Sequence, residues 1–117
     1  MNFIDTDSLR SFLDEKQAGS VVHVLGADRY DAAHIPGSVN VSLAAPEYVA
    51  RVGSNVENKD STVIVYSDGP GCDASTIAAH KLMDAGYTDV RCYAPGIEGW
   101  RDAGLPLRGN QVPADAK

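Results

Sequence analysis

Apolar and polar positions fall in blocks along this 117-residue chain, and the blocks switch between two periods. Leu9, Phe12 and Leu13 recur at helical spacing behind Asp5 or Thr6. Either can cap a helix that the pattern carries to about Gln17, with Gly19 placed to end it. The run Val21-Val22-His23-Val24-Leu25 is short and almost uniformly apolar, which predicts a strand covered on both faces, as in a parallel sheet. The next segment, GADRYDAAHIPGSVNV, has room for one helical turn, a Pro36-Gly37 turn and a brief strand at Val39 to Val41. Pro46 suits the first turn of a helix carrying Tyr48, Val49 and Val52, and SNVENKDS then reads as polar loop.

Thr62 to Tyr66 is a second strong strand. From about Asp73 the period becomes helical, with Ala74, Ile77, Ala78, Leu82 and Ala85 on one face and Gly86 as the stop. Asp89 to Tyr93 reads as a further strand, APGIEGW turns the chain, and a short helix runs towards Gly104. Strands alternating with helices argue for an α/β layer fold with a mainly parallel sheet. Residues 1–108 are expected to form one domain, with 109–117 a short flexible tail.

Composition narrows the class. The chain is 44% hydrophobic and 22% charged, as soluble globular domains are. Sixteen Asp and Glu outweigh ten Lys and Arg, giving a net charge of −6 with no basic cluster. Nucleic acid and anionic membrane are therefore not expected as partners. No apolar run approaches the ~18 residues of a membrane span, and the N-terminal MNFIDTDSLR lacks a signal core, so cytoplasmic residence is expected. Two cysteines twenty residues apart fit neither a disulfide framework nor a zinc site; if either matters, it matters as a thiol.

The candidate chemistry lies in VIVYSDGPGCDAST, residues 63–76, where a strand fires a loop into a helix. In parallel α/β sheets, sites gather at such junctions. A loop running from Ser67 through Asp68, Gly69, Pro70 and Gly71 to Cys72 can turn backbone N–H groups inwards and stabilise an anion. Cys72, just before the helix, stands where the positive end of the dipole favours thiolate. The plainer alternative is that Cys72 is a small residue packed at a junction. Asp68 and Asp73 oppose dianions, and no Lys or Arg lies inside the loop, so a phosphate-type ligand is disfavoured.

Three stretches in order, RYDAAHIPGSVNV, VIVYSDGPGCDAS and DAGYTDVRCYAPGIEGWRDAGLPL, together resemble the single-domain rhodanese (sulfurtransferase) family. The resemblance covers nearly the whole chain to about Leu107. It implies a three-layer fold with a central, mainly parallel sheet of about five strands flanked by helices. It also implies a thiol that takes sulfane sulfur as a persulfide from a small donor and passes it to a thiol or cyanide acceptor. In the family the sulfur-carrying cysteine stands directly after the VIVY-like strand, and that position here is Ser67. A serine hydroxyl has no accessible anion near neutral pH, and oxygen does not hold sulfane sulfur as a thiol does.

Further departures from the family pattern are His23 and Leu25 in place of the usual Asp and Arg on the first strand, and Pro95-Gly96 in place of a GG pair. The Arg often found in the active-site loop is missing too. Three explanations of Ser67 stand open: an engineered replacement of the nucleophile, a silent domain that keeps the fold for binding, or transfer of the role to Cys72 within Cys72-Asp73-Ala74-Ser75. A related phosphatase or arsenate reductase activity ranks below sulfur transfer, because Ser67 leads six positions on to Asp73 and Cys72 to Ala78, never to Arg. With no cation in the loop, thiosulfate is expected to be a weaker donor than a small persulfide. No cofactor and no metal are called for, and a protein partner is compatible with either reading.

Other residues read as structural. His23 among valines is expected to be a hydrogen-bonded core histidine, His34 to tie down the HIPG turn, and His80 to be exposed. Cys92 shares a strand face with Val90 and reads as a buried small hydrophobe. A Cys72–Cys92 disulfide would be transient in a reducing compartment. Ile97 and Trp100 are expected to face the sheet, and Ser75 and Thr76 to cap backbone donors.

Overall fold

The computed structural model describes residues 2–70 and 73–110. Its elements, in chain order, are β1 (Asn2–Phe3), α1 (Thr6–Asp14), β2 (Ser20–His23), α2 (Ala27–Ala32), β3 (Val39–Asn40), α3 (Tyr48–Gly53), β4 (Thr62–Tyr66), α4 (Ala74–Asp84), β5 (Asp89–Tyr93) and α5 (Gly96–Asp102). The two apolar, β-branched runs of the sequence became β2 and β4, and Asp89 to Tyr93 became β5.

All strand pairs are parallel, in the order β1-β5-β4-β2-β3. Because β2 and β4 lie deep inside this order, both of their faces are covered, which is why their sequences are nearly continuous apolar runs, whereas β5, beside the two-residue edge strand β1, alternates Asp89-Val90-Arg91-Cys92 with the polar pair only half-buried. On one face Val22, Val24, Val63, Val65, Val90 and Cys92 pack against Tyr48 and Val52 of α3 and Ala78, Ala79 and Leu82 of α4. On the other, Val21, Ile64, Tyr66 and Tyr93 pack against Leu9 and Phe12 of α1, Ile35, and Ile97 and Trp100 of α5. The result is the expected three-layer α/β fold.

The fifth strand, β1, carries no pattern of its own: both residues are exposed, and it exists by pairing Asn2 with Arg91 and Phe3 with Cys92. Helix α1 starts where the capping signal puts it, with the Asp5 carboxylate accepting the Ser8 N–H at 2.8 Å. It ends earlier than Gln17. Lys16 takes a left-handed conformation (φ 50°), and the N–H groups of Lys16 and Gln17 return to the carbonyls of Leu13 and Phe12, so Lys16 rather than Gly19 terminates the helix.

Two further expectations are corrected. Pro46 lies ahead of α3, whose N-cap is Glu47. In α4 the buried face is Ser75, Ala78, Ala79 and Leu82, while Ile77 is 48% exposed. These four stand at i, i+3, i+4 and i+7, and their mostly small side chains let the helix lie close on the sheet, which turns Ile77 outwards.

The chain leaves β2 for β3 on one side and leaves β4 for β5 on the other, although β2 and β4 are neighbours. That divergence opens a crevice beyond the C-terminal ends of β2 and β4, the position where open α/β sheets take their ligands. His23 and Tyr66 are directly paired at its floor.

Candidate functional site

Strand β4 delivers Ser67 into the crevice, where it is 1% exposed. The first turn of α5 docks directly on the loop: the Ile97 N–H donates to the Ser67 carbonyl at 3.0 Å and the Glu98 N–H to the Asp68 carbonyl at 2.8 Å. This approach requires glycine at 96. Gly96 has φ +63°, and a Cβ there would stand 2.5 Å from the Ser67 carbonyl oxygen and 2.8 Å from the Gly69 nitrogen. Gly69 lies buried beneath Glu98, whose Oε2 would be 2.8 Å from a Cβ at position 69.

The other loop positions are more open. Pro70 is exposed, Asp68 is half-buried, and Asp73 is exposed at the N-cap of α4, its carbonyl accepting the Ile77 N–H at 3.1 Å while its side chain makes no capping bond. Gly71 and Cys72, both assigned to the site from sequence, lie outside the described residues. So do residues 111–117 of the expected tail. Arg108, Gly109 and Asn110 are described and run against α2: His34 and Arg108 exchange backbone hydrogen bonds at 2.8 and 3.0 Å, and the Asn110 N–H reaches the Asp31 carbonyl at 2.8 Å.

On the β2 side of the crevice the floor is aromatic. His23 is fully buried, and its Nδ1 accepts the Leu25 N–H at 3.3 Å. Asn40 stands beside it, donating to the carbonyls of His23 (3.2 Å) and Leu25 (2.8 Å). An accepting Nδ1 leaves the proton of the neutral ring on Nε2, and that atom is buried without a hydrogen-bond partner. The ring instead lies edge-on to Tyr30 and Tyr66, with centroids 5.4 and 5.3 Å away. Burial holds the imidazole below its ordinary value and keeps it neutral. The expectation of a hydrogen-bonded core histidine is thus met at one nitrogen and not at the other.

Tyr66 anchors the HIPG turn from below. Its hydroxyl accepts the Ile35 N–H at 3.0 Å and shares a 2.7 Å hydrogen bond with Ser38 Oγ, and burial pushes the phenol's pKa upwards. His34 ties the same turn to α2 by donating from Nδ1 to the Tyr30 carbonyl at 2.7 Å and stacking on the Tyr30 ring at 3.8 Å. The Tyr30 hydroxyl donates to the Ser38 carbonyl at 2.7 Å, completing a frame that fixes α2 over the crevice.

That frame brings in a residue which motif reading missed. Arg29 of α2 forms an ion pair with Asp68 of the loop, Nη2 to Oδ2 at 3.1 Å. The loop itself carries no cation, as its sequence shows, yet the fold supplies one from thirty-nine positions upstream. No local signal marks it, since ADRYD reads as an ordinary solvated helix turn. Glu98 and Gly96 were missed for the same reason: they join the site only through the docking of α5.

Cys92, Ile97, Trp100 and His80 stand as the sequence predicts. Cys92 is a free, fully buried thiol that donates from Sγ to Ser75 Oγ at 3.3 Å, so Ser75 packs on the sheet rather than capping α4. Trp100 donates from Nε1 to the Pro106 carbonyl at 2.8 Å and meets Tyr93 edge-on. His80 is exposed. No helix among the described residues is long and apolar enough to cross a membrane.

The family model of the rhodanese-like domain matches residues 5–103. A putative thiosulfate sulfurtransferase of Synechococcus elongatus is 34% identical over 94 residues, spanning 67% of this chain and 29% of that protein. The crystal structure of a thiosulfate sulfurtransferase from Pseudomonas aeruginosa superposes with a TM-score of 0.82 at 26% identity, over 96% of this chain and 21% of the other. The Alr3790 protein of Anabaena superposes with a TM-score of 0.80 at 26% identity, over 93% of this chain and 94% of the other. The chain spans 29%, 44% and 64% of the length of three curated relatives that it matches, so it corresponds to a part of each.

Proposed function

Because this chain belongs to the rhodanese-like domain family, we propose that it transfers sulfane sulfur through a cysteine persulfide formed in the loop Ser67 to Cys72. The observation that carries the reading is the loop itself: β4 ends at the switch point of a parallel sheet, and α5 clamps Ser67 and Asp68 there by two backbone hydrogen bonds. The relatives named as thiosulfate sulfurtransferases support the same class of chemistry. With Ser67 at the family's nucleophile position, Cys72 is the thiol in the loop that can carry sulfur.

The reaction has two displacements. The Cys72 thiolate attacks the outer sulfur of a donor R–S–SH, forming the Cys72 S–S bond as the donor's S–S bond breaks and RS⁻ leaves. An acceptor thiolate then attacks the outer sulfur of the Cys72 persulfide, carries it away as R′S–SH and restores the Cys72 thiolate; cyanide would leave as thiocyanate. We place this chemistry in the cytoplasm, where free thiols persist. A partner protein that bears the donor or acceptor thiol is compatible with this scheme.

One feature favours a second reading. Ser67 is buried where the family keeps its reactive sulfur, which suits a domain retained for binding rather than turnover. Intact-mass measurement after incubation with a sulfane-sulfur donor separates the two. Sulfur transfer expects the chain to gain the mass of one sulfur atom and Cys72→Ser to gain none. If the unaltered chain gains nothing while Ser67→Cys loads, the Cys72 assignment is wrong and the loop is a silent descendant of a catalytic one.

A further inference from the structure

We propose that Asp68 is the specificity-determining residue of this site, because its ion pair with Arg29 withholds the cation from dianionic donors such as thiosulfate and leaves the loop to uncharged or weakly charged persulfides and polysulfides. The inference rests on the sulfur-transfer reading of the loop, and it assigns the substrate class within that reading.

The pair spans the switch-point crevice. Arg29 arrives on the connection that leaves β2, and Asp68 on the connection that leaves β4. Neither end is free to drift. Asp68 is fixed at its backbone by the 2.8 Å hydrogen bond from Glu98, and the α2 turn that carries Arg29 is fixed through Tyr30, which is stacked on His34 and bonded to Ser38. Among the described residues this is the only ion pair that reaches the loop.

The elements that hold the loop add further negative charge, Asp73 at the N-cap of α4 and Glu98 in the first turn of α5, both exposed. His23 beneath it is held neutral by burial and adds no positive charge. A dianion entering the crevice therefore meets one guanidinium already neutralised, with carboxylates on the elements that hold the loop. Arg29 keeps 63% of its side chain exposed, so solvent screens the pair, and a change at Asp68 can hand the guanidinium to a ligand without unfolding anything. An uncharged donor is indifferent to all of this.

The test is a double-mutant cycle on thiosulfate binding, measured by calorimetry at fixed ionic strength, with sulfate as a dianion that donates no sulfur. Asp68→Asn should tighten thiosulfate and sulfate binding about tenfold, the scale of a charge interaction near a protein surface. In the Arg29→Gln background the same Asp68→Asn change should have little effect, because no cation is there to release. On a Ser67→Cys background, Asp68→Asn should raise the rate of loading from thiosulfate, which leaves as sulfite, by a larger factor than the rate of loading from a small alkyl persulfide R–SSH, which carries at most one charge and leaves as RS⁻.

Equal gains with and without Arg29 would show simple repulsion by Asp68 and overturn the proposal. So would tight thiosulfate binding to the unaltered chain. Failure of the sulfur-transfer reading appears separately, as an unaltered chain that gains no sulfur from any donor while the binding cycle is unaffected.

Discussion

An imidazole buried edge-on between two tyrosines, with one nitrogen accepting and the other unpartnered, commits His23 to the neutral form. The unfolded chain makes no such commitment, and its histidine titrates near the ordinary value of 6.5. Since burial lowers the folded value, the unfolded state binds the extra proton first, and stability falls as pH drops through the unfolded pKa until the folded value is passed. Thermal melts should therefore show a midpoint that decreases from about pH 7.5 to about pH 5.5, and His23→Gln should flatten that slope even if it lowers the midpoint at neutral pH. A slope unchanged by the substitution would assign the acid sensitivity to other groups. The sequence marked His23 as buried because valines surround it, but not the missing partner at Nε2, which depends on where Tyr30 and Tyr66 put their rings. The same holds at Asp68: its charge was legible, and its pairing with Arg29 was not.

Among the elements, α5 decides the shape of the site although it contributes no reactive group. Its first residue, Gly96, stands against the backbone of Ser67 and Gly69, so the helix can seat on the loop only without a Cβ there. Gly96→Ala should destabilise the protein by about 1–3 kcal/mol in denaturant titrations and weaken loop-dependent sulfur loading or ligand binding. Gly104→Ala gives the control. Gly104 also has positive φ (+76°), but a Cβ there meets nothing within 4 Å, so its cost should be the backbone strain alone, about 1 kcal/mol, with the loop unaffected. Equal effects of the two changes would mean that contact between α5 and the loop does not matter. The element boundaries and faces that sequence misplaced have two causes. The end of α1 was set by the left-handed turn at Lys16, while the start of α5 and the outward face of Ile77 on α4 were set by how each helix packs rather than by its own period.

For the molecule as a whole, the order β1-β5-β4-β2-β3 puts β4 at the centre and β1 at an edge with two exposed residues. Native-state hydrogen exchange should find the slowest amides at Val63, Ile64 and Val65 and much faster exchange in β1; protection in β1 equal to that in β4 would contradict a sheet whose stability is graded from centre to edge. The sequence by itself determined the alternation of apolar strands and helices, hence the layered parallel fold, and it located the strand-loop-helix with Ser67 where a sulfur carrier is expected. Those features are local: burial on both faces writes itself as a continuous apolar run, and a tight loop writes itself in glycine and proline. The tertiary structure alone decided the rest. Pairing gave β1 its existence and set His23 beside Tyr66, the divergence of the chain after β2 and β4 opened the crevice, and the docking of α2 and α5 brought Arg29 and Gly96 to a loop that neither neighbours in sequence. Such contacts follow from packing across the sheet, and no residue pattern along the chain encodes them one at a time.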